Sequence, residues 1–146
     1  MMNKKLLTRI VACLLAILLS ASILSTTTTT QVEAASSYEV KMLAAICYLE
    51  AGTNYNNSLA VANVVLNRVK SKKYPNSIKG VIYQKGQFTP AKRISKIINK
   101  PRANCLKAAK AALKGKNNIG KRVSFRAYRG QKKYKNAVVI GDNIFF

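Results

Sequence analysis

Two apolar runs at helical spacing, joined by a short polar link, set the terms on which this chain can fold. In the first, Val40, Leu43, Ala44, Cys47 and Ala51 recur on one side of a helix. Ser36 and Glu39 in front of it match a capping box, in which the serine hydroxyl accepts a first-turn amide and the glutamate reaches back to the cap. Gly52 is placed to end it, since glycine takes the left-handed C-terminal conformation without strain. After the polar link 53–57 the second run carries Leu59, Ala62, Val65, Leu66 and Val69 on one face, with Ser58 as its expected cap. Lys70, Lys72 and Lys73 stand at the negative end of its dipole, and Tyr74-Pro75 breaks it. This second helix is expected to be the one on which the domain packs.

The rest of the chain is less regular. Ser77 to Tyr83 reads as one short helix with Val81 and Ile82 inward, and 84–89 as a glycine-centred, amide-rich turn or tight hairpin. A basic, weakly patterned helical segment follows over Lys92 to Lys100. Pro101 sits at a favoured first helical position, and Leu106, Ala109, Ala112 and Leu113 form a stripe that stops at Gly115. Val123 to Tyr128 alternates as a strand does, and 137–140 and 143–146 read as short strands either side of Gly141-Asp142. The fold class is therefore α+β, mainly α, with a small β element near the end.

Residues 1–35 are set apart from this domain. Lys4, Lys5 and Arg9 precede an apolar run from Ile10 to Leu24, followed by a threonine-rich spacer and the small-residue pattern around Ala34, the layout of a secretory signal peptide. The run is short of the roughly 20 apolar residues that a membrane span needs. Cleavage there leaves a domain over 36–146, long enough to bury its own core. That domain carries 23 cations against 3 carboxylates, a net +20. Charge of this size attracts polyanions. An exported chain meets anionic wall polymers first, so a cell-wall location is expected and no nucleic-acid partner; a monomer is expected too. Cys47 and Cys105 leave two readings open: a disulfide, or two buried thiols acting as small apolar groups.

Acid is scarce. Glu33, Glu39, Glu50 and Asp142 are the only side-chain carboxylates of the chain, and histidine is absent. Serine and cysteine nucleophiles are usually activated by a histidine base, and catalytic zinc sites lean on histidine as well. Neither chemistry suits this composition, and no metal or other cofactor is expected. What remains is a carboxylic acid acting as general acid and base. Glu39 has its capping role. Glu50 lies beyond the apolar Ile46 and Cys47 and beside Tyr48, where lost hydration raises a carboxyl's pKa towards the range in which it donates a proton near neutrality. An exposed helix-end glutamate is the bland alternative. Asp142 and Glu39 are its only acidic partners in the mature domain.

Leu43 to Glu50, Ala60 to Val69 with its Asn67-Arg68 pair, the Pro75-Asn76 turn and the Gly86-Gln87-Phe88 turn occur together in one order. That order resembles the catalytic domain of spore cortex-lytic enzymes and related cell-wall hydrolases, with echoes in Leu113-Lys114-Gly115 and Ile140 to Phe145. The resemblance implies a lysozyme-like domain that cleaves peptidoglycan between N-acetylmuramic acid and N-acetylglucosamine. It implies a lytic transglycosylase, in which the sugar's own 6-hydroxyl is the nucleophile and one acid suffices, Glu50 protonating the leaving oxygen and then accepting the hydroxyl proton. A muramidase acting by hydrolysis would use two carboxyl groups, ~5 Å apart if retaining and ~6.5–9.5 Å apart if inverting.

Gly52-Thr53-Asn54 stands where the family has Arg-Gly-Glu, and Asn143 where it often has histidine. Tyr83, Gln84, Gln87 and Phe88 are the expected substrate groove, amides bonding N-acetyl groups and aromatics stacking on sugar rings; the alternative puts Tyr83 and Phe88 in the core. Asn67 and Arg68 are expected to tie the helix end to its neighbours, Arg68 through a carboxylate. A non-catalytic cationic wall-binding protein is the rival reading from another class.

Overall fold

The computed structural model describes residues 35–130 and 134–146. Residues 1–34, with Cys13 and nearly all of the expected signal segment, lie outside them. Helix α1 (Ser37–Ala51) opens on the expected capping box: Ser36 Oγ accepts the Glu39 amide at 3.2 Å, and Glu39 Oε2 accepts the Ser36 amide at 3.0 Å. Its end is equally local. Gly52, at φ +61°, turns the chain and donates its N–H to the Tyr48 carbonyl at 2.9 Å.

Helix α2 (Tyr55–Val69) begins earlier than a cap at Ser58 would have it. Asn54 is the cap, its Oδ1 accepting the Asn57 amide at 2.9 Å. Ser58 is drawn inside, fully buried, with Oγ 3.6 Å from Cys105 Sγ. Nearly every side of α2 is covered, since Leu59 to Ala62, Val64 and Val65 expose 1% or less. It is the central helix, flanked by α1, by α3 (Ile78–Tyr83) and by α5 (Ala103–Leu113). Alanines at 60, 62, 108, 109 and 112, all buried, let these helices approach closely.

Between α3 and α5 the chain makes a 3-10 turn (Thr89–Arg93) that runs into α4 (Ile94–Ile97). Helix α5 starts after Arg102 rather than at Pro101, because Arg102 keeps an extended backbone. Strand β1 (Phe125–Ala127) is shorter than the alternation over 123–128 suggested. With β2 (Val138–Ile140) and β3 (Asn143–Phe145) it forms an antiparallel sheet in the order β1-β3-β2. Phe125 and Val138 both pair with Phe145. An aromatic column joins this sheet to the helices: Phe145 stacks on Phe125 at 5.6 Å, and Phe125 meets Phe88 at 6.1 Å.

The Asn67-Arg68 pair ties α2 to the connection ahead of the sheet. Asn67 Nδ2 donates to the carbonyls of Gly120 and Arg122 at 2.7 and 2.8 Å. Among the described residues Arg68 finds no carboxylate there. It is 5% exposed, its Nε donates to the Val123 carbonyl at 2.7 Å, and its guanidinium lies 5.2 Å from the ring centres of both Tyr74 and Phe88. Aromatic faces and a carbonyl replace the expected ion pair.

Candidate active site

Glu50 stands one residue from the end of α1, where the helix leaves the core. Cys47 and Ile46 behind it are fully buried, whereas Glu50 is half-buried at the wall of a cleft of about 400 Å³. Tyr48, Gly52, Asn57, Arg93 and Asp142 share that wall. Burial raises the Glu50 carboxyl above its ordinary value. Desolvation disfavours the carboxylate, and the protonated form gains. The cleft therefore holds a carboxyl of raised pKa with open space in front of it.

The sheet supplies the support. The turn at Gly141-Asp142 carries Asp142 to the cleft and starts β3 with Asn143, which is buried. Asn143 Nδ2 donates to the Glu50 backbone carbonyl at 3.3 Å and to Asn57 Oδ1 at 3.1 Å. Asn57, 2% exposed, belongs to the first turn of α2. One amide thus links the end of α1, the start of α2 and the first residue of β3. Gly141 has φ +57°, and a Cβ on it would lie 3.0 Å from Asn57 Nδ2, so the turn meets the helix at a distance that glycine permits.

Residues 52–54, which stand in place of the second acid, have structural work. Cys105 Sγ donates to the Gly52 carbonyl at 3.2 Å, Asn104 Nδ2 donates to the Thr53 carbonyl at 3.1 Å, and Asn54 caps α2. The disulfide reading is corrected at the same place. Cys47 and Cys105 are free, buried thiols. Cys105 is engaged by Gly52 and Ser58, and burial pushes both thiols up, Cys47 well above the usual value.

The expected groove residues are not brought to Glu50. Tyr83 is 46% exposed at the end of α3, Gln87 is exposed in the turn, and Gln84 is half-buried with Oε1 inside and without a hydrogen-bond partner. Phe88 is 5% exposed, held between Arg68 and Phe125, and so belongs to the core rather than to a sugar-stacking surface. In their place the structure puts Tyr48, Asn57, Arg93 and Asp142. Asp142 was legible from the scarcity of acids, and Asn143 from its place in the motif. Asn57 and Arg93 carry no local signal: one looks like a link residue and the other like one more surface cation.

Known proteins resemble the chain at both levels. The family model for Cell Wall Hydrolase matches residues 52–146, a span that begins two residues after Glu50. The spore cortex-lytic enzyme of Bacillus subtilis (strain 168) is 42% identical over 55 residues, 37% of this chain and 18% of that protein. A spore cortex-lytic enzyme of Bacillus cereus is 35% identical over 86 residues, 58% of this chain and 33% of that one. The chain thus spans at most about a third of these relatives. In solved structures, the catalytic domain of the germination-specific lytic transglycosylase SleB from Bacillus anthracis aligns with a TM-score of 0.66 at 28% identity, covering 77% of this chain and 97% of that one. The SleB catalytic domain of Bacillus cereus aligns at 0.63 and 28%, covering 75% and 90%. The α+β, mainly helical architecture expected from sequence is the one these domains share.

Proposed function

The chain belongs to the Cell Wall Hydrolase family, and on that premise we propose that it is an exported lytic transglycosylase. It cleaves peptidoglycan between N-acetylmuramic acid and N-acetylglucosamine and leaves 1,6-anhydro ends. The observation that carries this reading is Glu50, a carboxyl raised by burial at the wall of an open cleft. Its protonated form donates to the glycosidic oxygen as the bond to the muramic carbon breaks. The resulting carboxylate then takes the proton of the 6-hydroxyl, which closes on the same carbon. No water enters the product, and the acid form of Glu50 is restored. Positioned proton transfer of this kind contributes about 10²–10⁴-fold.

Asn143 holds the Glu50 backbone from the sheet side, and Asn57 and Arg93 offer donors to the sugar's acetamido and hydroxyl groups. We assign the exposed Tyr83 and Gln87 to more distant sugars of the strand. Residues 1–35 act as the signal for export, and the domain of 36–146 works in the wall as a monomer, drawn to its anionic polymers by charge. Asp142 on the same cleft wall favours a second reading, hydrolysis by a two-carboxylate muramidase. Digestion of purified peptidoglycan separates the two. Anhydro-muropeptides, lost in Glu50→Gln and kept in Asp142→Asn, support the transglycosylase. Reducing ends, lost in both variants, support the muramidase. Undiminished cleavage by Glu50→Gln removes both.

A further inference from the structure

A second cavity, of about 190 Å³, opens beside the Glu50 cleft and shares one residue with it, Tyr48. Ala45 and Ile97 make its apolar walls, and Lys96, Lys100 and Arg102 make its charged ones; among the described residues no carboxylate lines it. Arg102 lies over the Tyr48 ring, 5.0 Å from its centre, so the partition between the two cavities is itself capped by a cation. The approach from the cleft is cationic too. Arg93 is on the cleft wall, and Lys96 and Lys100 follow it at intervals of three and four residues. Helical winding persists over that stretch, with the Ile98 amide bonded to the Ile94 carbonyl and the Lys100 amide to the Ile97 carbonyl, both at 2.9 Å. The three cations therefore lie along one face, the first in the cleft and the other two in the cavity.

We propose that this cavity is the subsite for a carboxylate carried on the branch of the muramic acid bound at Glu50, that is, on its peptide stem. The inference rests on the reading of the cleft given above. A cavity joined to the cleft through one side chain is within reach of a substituent of the sugar held there. Its volume of about 190 Å³ has room for a short chain end. Three cations without a carboxylate on the wall select an anion, and a planar carboxylate meets Arg102 through paired hydrogen bonds. The phosphates of a wall polymer offer the same charge, but a muramic acid esterified by such a polymer on its 6-hydroxyl lacks the nucleophile that the reaction at Glu50 uses.

The test uses three preparations of peptidoglycan. One is freed of anionic polymers, one is freed of them and has its carboxylates converted to primary amides, and one retains the polymers. Loss of a charge-assisted contact is worth about tenfold or more. The wild-type domain is expected to cleave the first preparation about tenfold more efficiently in kcat/KM than the amidated one. In Lys96→Gln/Lys100→Gln/Arg102→Gln that ratio falls close to one. All three positions are exposed, so the variant's circular dichroism should match the parent's. Equal cleavage of the first two by wild type overturns the proposal. A preference seen only with the polymer-bearing preparation overturns it as well and assigns the cavity to phosphate. Pull-down of the Glu50→Gln protein on the same preparations gives a readout that needs no cleavage. If nothing is cleaved yet binding still drops on amidation and in the triple variant, the subsite stands and the proposed activity falls.

Discussion

Replacing Gly141 with alanine tests the junction that supports Glu50. Two effects add. At φ +57° an alanine sits in the left-handed region, which is unfavourable by about 1–2 kcal/mol. Its Cβ would also meet Asn57 at 3.0 Å from Nδ2, 3.2 Å from Cβ and 3.3 Å from Cγ. Asn57 has little freedom to yield, being 2% exposed and bonded to Asn143 at 3.1 Å. Moving it breaks that bond and leaves buried amide groups unpaired, a further loss of about 1–2 kcal/mol. The expected total is about 2–4 kcal/mol, a large share of the 5–15 kcal/mol typical of a domain. Gly86→Ala supplies the control, because Gly86 has φ +77° but nothing within 4 Å of the added Cβ. It should show the conformational effect alone, about 1–2 kcal/mol. Urea unfolding of the two variants isolates the contact as their difference, and cleavage of peptidoglycan should fall in Gly141→Ala and hold in Gly86→Ala. Equal destabilisation, or full activity in Gly141→Ala, would show that the contact with Asn57 does not support the site.

Other consequences follow from burial. The folded protein keeps the Glu50 proton at pH values where the unfolded chain, at about 4.3, has released it. The stability this provides is fully present below the unfolded value and is lost as pH rises through the raised folded one. Urea unfolding across that window should show the decline in wild type and a shallower one in Glu50→Gln. Arg68→Lys removes the Nε–H that bonds the Val123 carbonyl and the guanidinium that faces Tyr74 and Phe88, and should lower stability by about 1–3 kcal/mol in thermal melts. Cys47 and Cys105, buried and raised, should resist iodoacetamide in the native protein and react after unfolding; adducts on the folded protein, read by mass spectrometry, would contradict their placement.

What could be read from the chain was local. The capping box at Ser36 and Glu39 and the stop at Gly52 depend on residues within four positions of each other, so α1 was visible with both its ends. Asn54 and Ser58 are both good caps, and their order is decided by Cys105, far along the chain, beside which Ser58 is buried. Phe88 looked like a stacking residue because it follows a glycine turn. Its burial is set by Arg68 on one side and Phe125 on the other, neither of them near in sequence. Glu50 becomes the candidate by elimination, since a chain without histidine and with four carboxylates has few ways to move a proton. Its surroundings do not emerge that way, because Asn57 and Arg93 reach the cleft only through the packing of α2 on α1 and the winding of 89–97.

The proposed reaction turns on Glu50 moving the proton in a non-hydrolytic cleavage of the glycan. Mass spectrometry of muropeptides released by the 36–146 domain tests it most directly, with Glu50→Gln digested in parallel. Wild type should give products lower in mass by one water than their hydrolysed counterparts, and the variant none. Products bearing reducing ends, or the same anhydro products from Glu50→Gln, would contradict it.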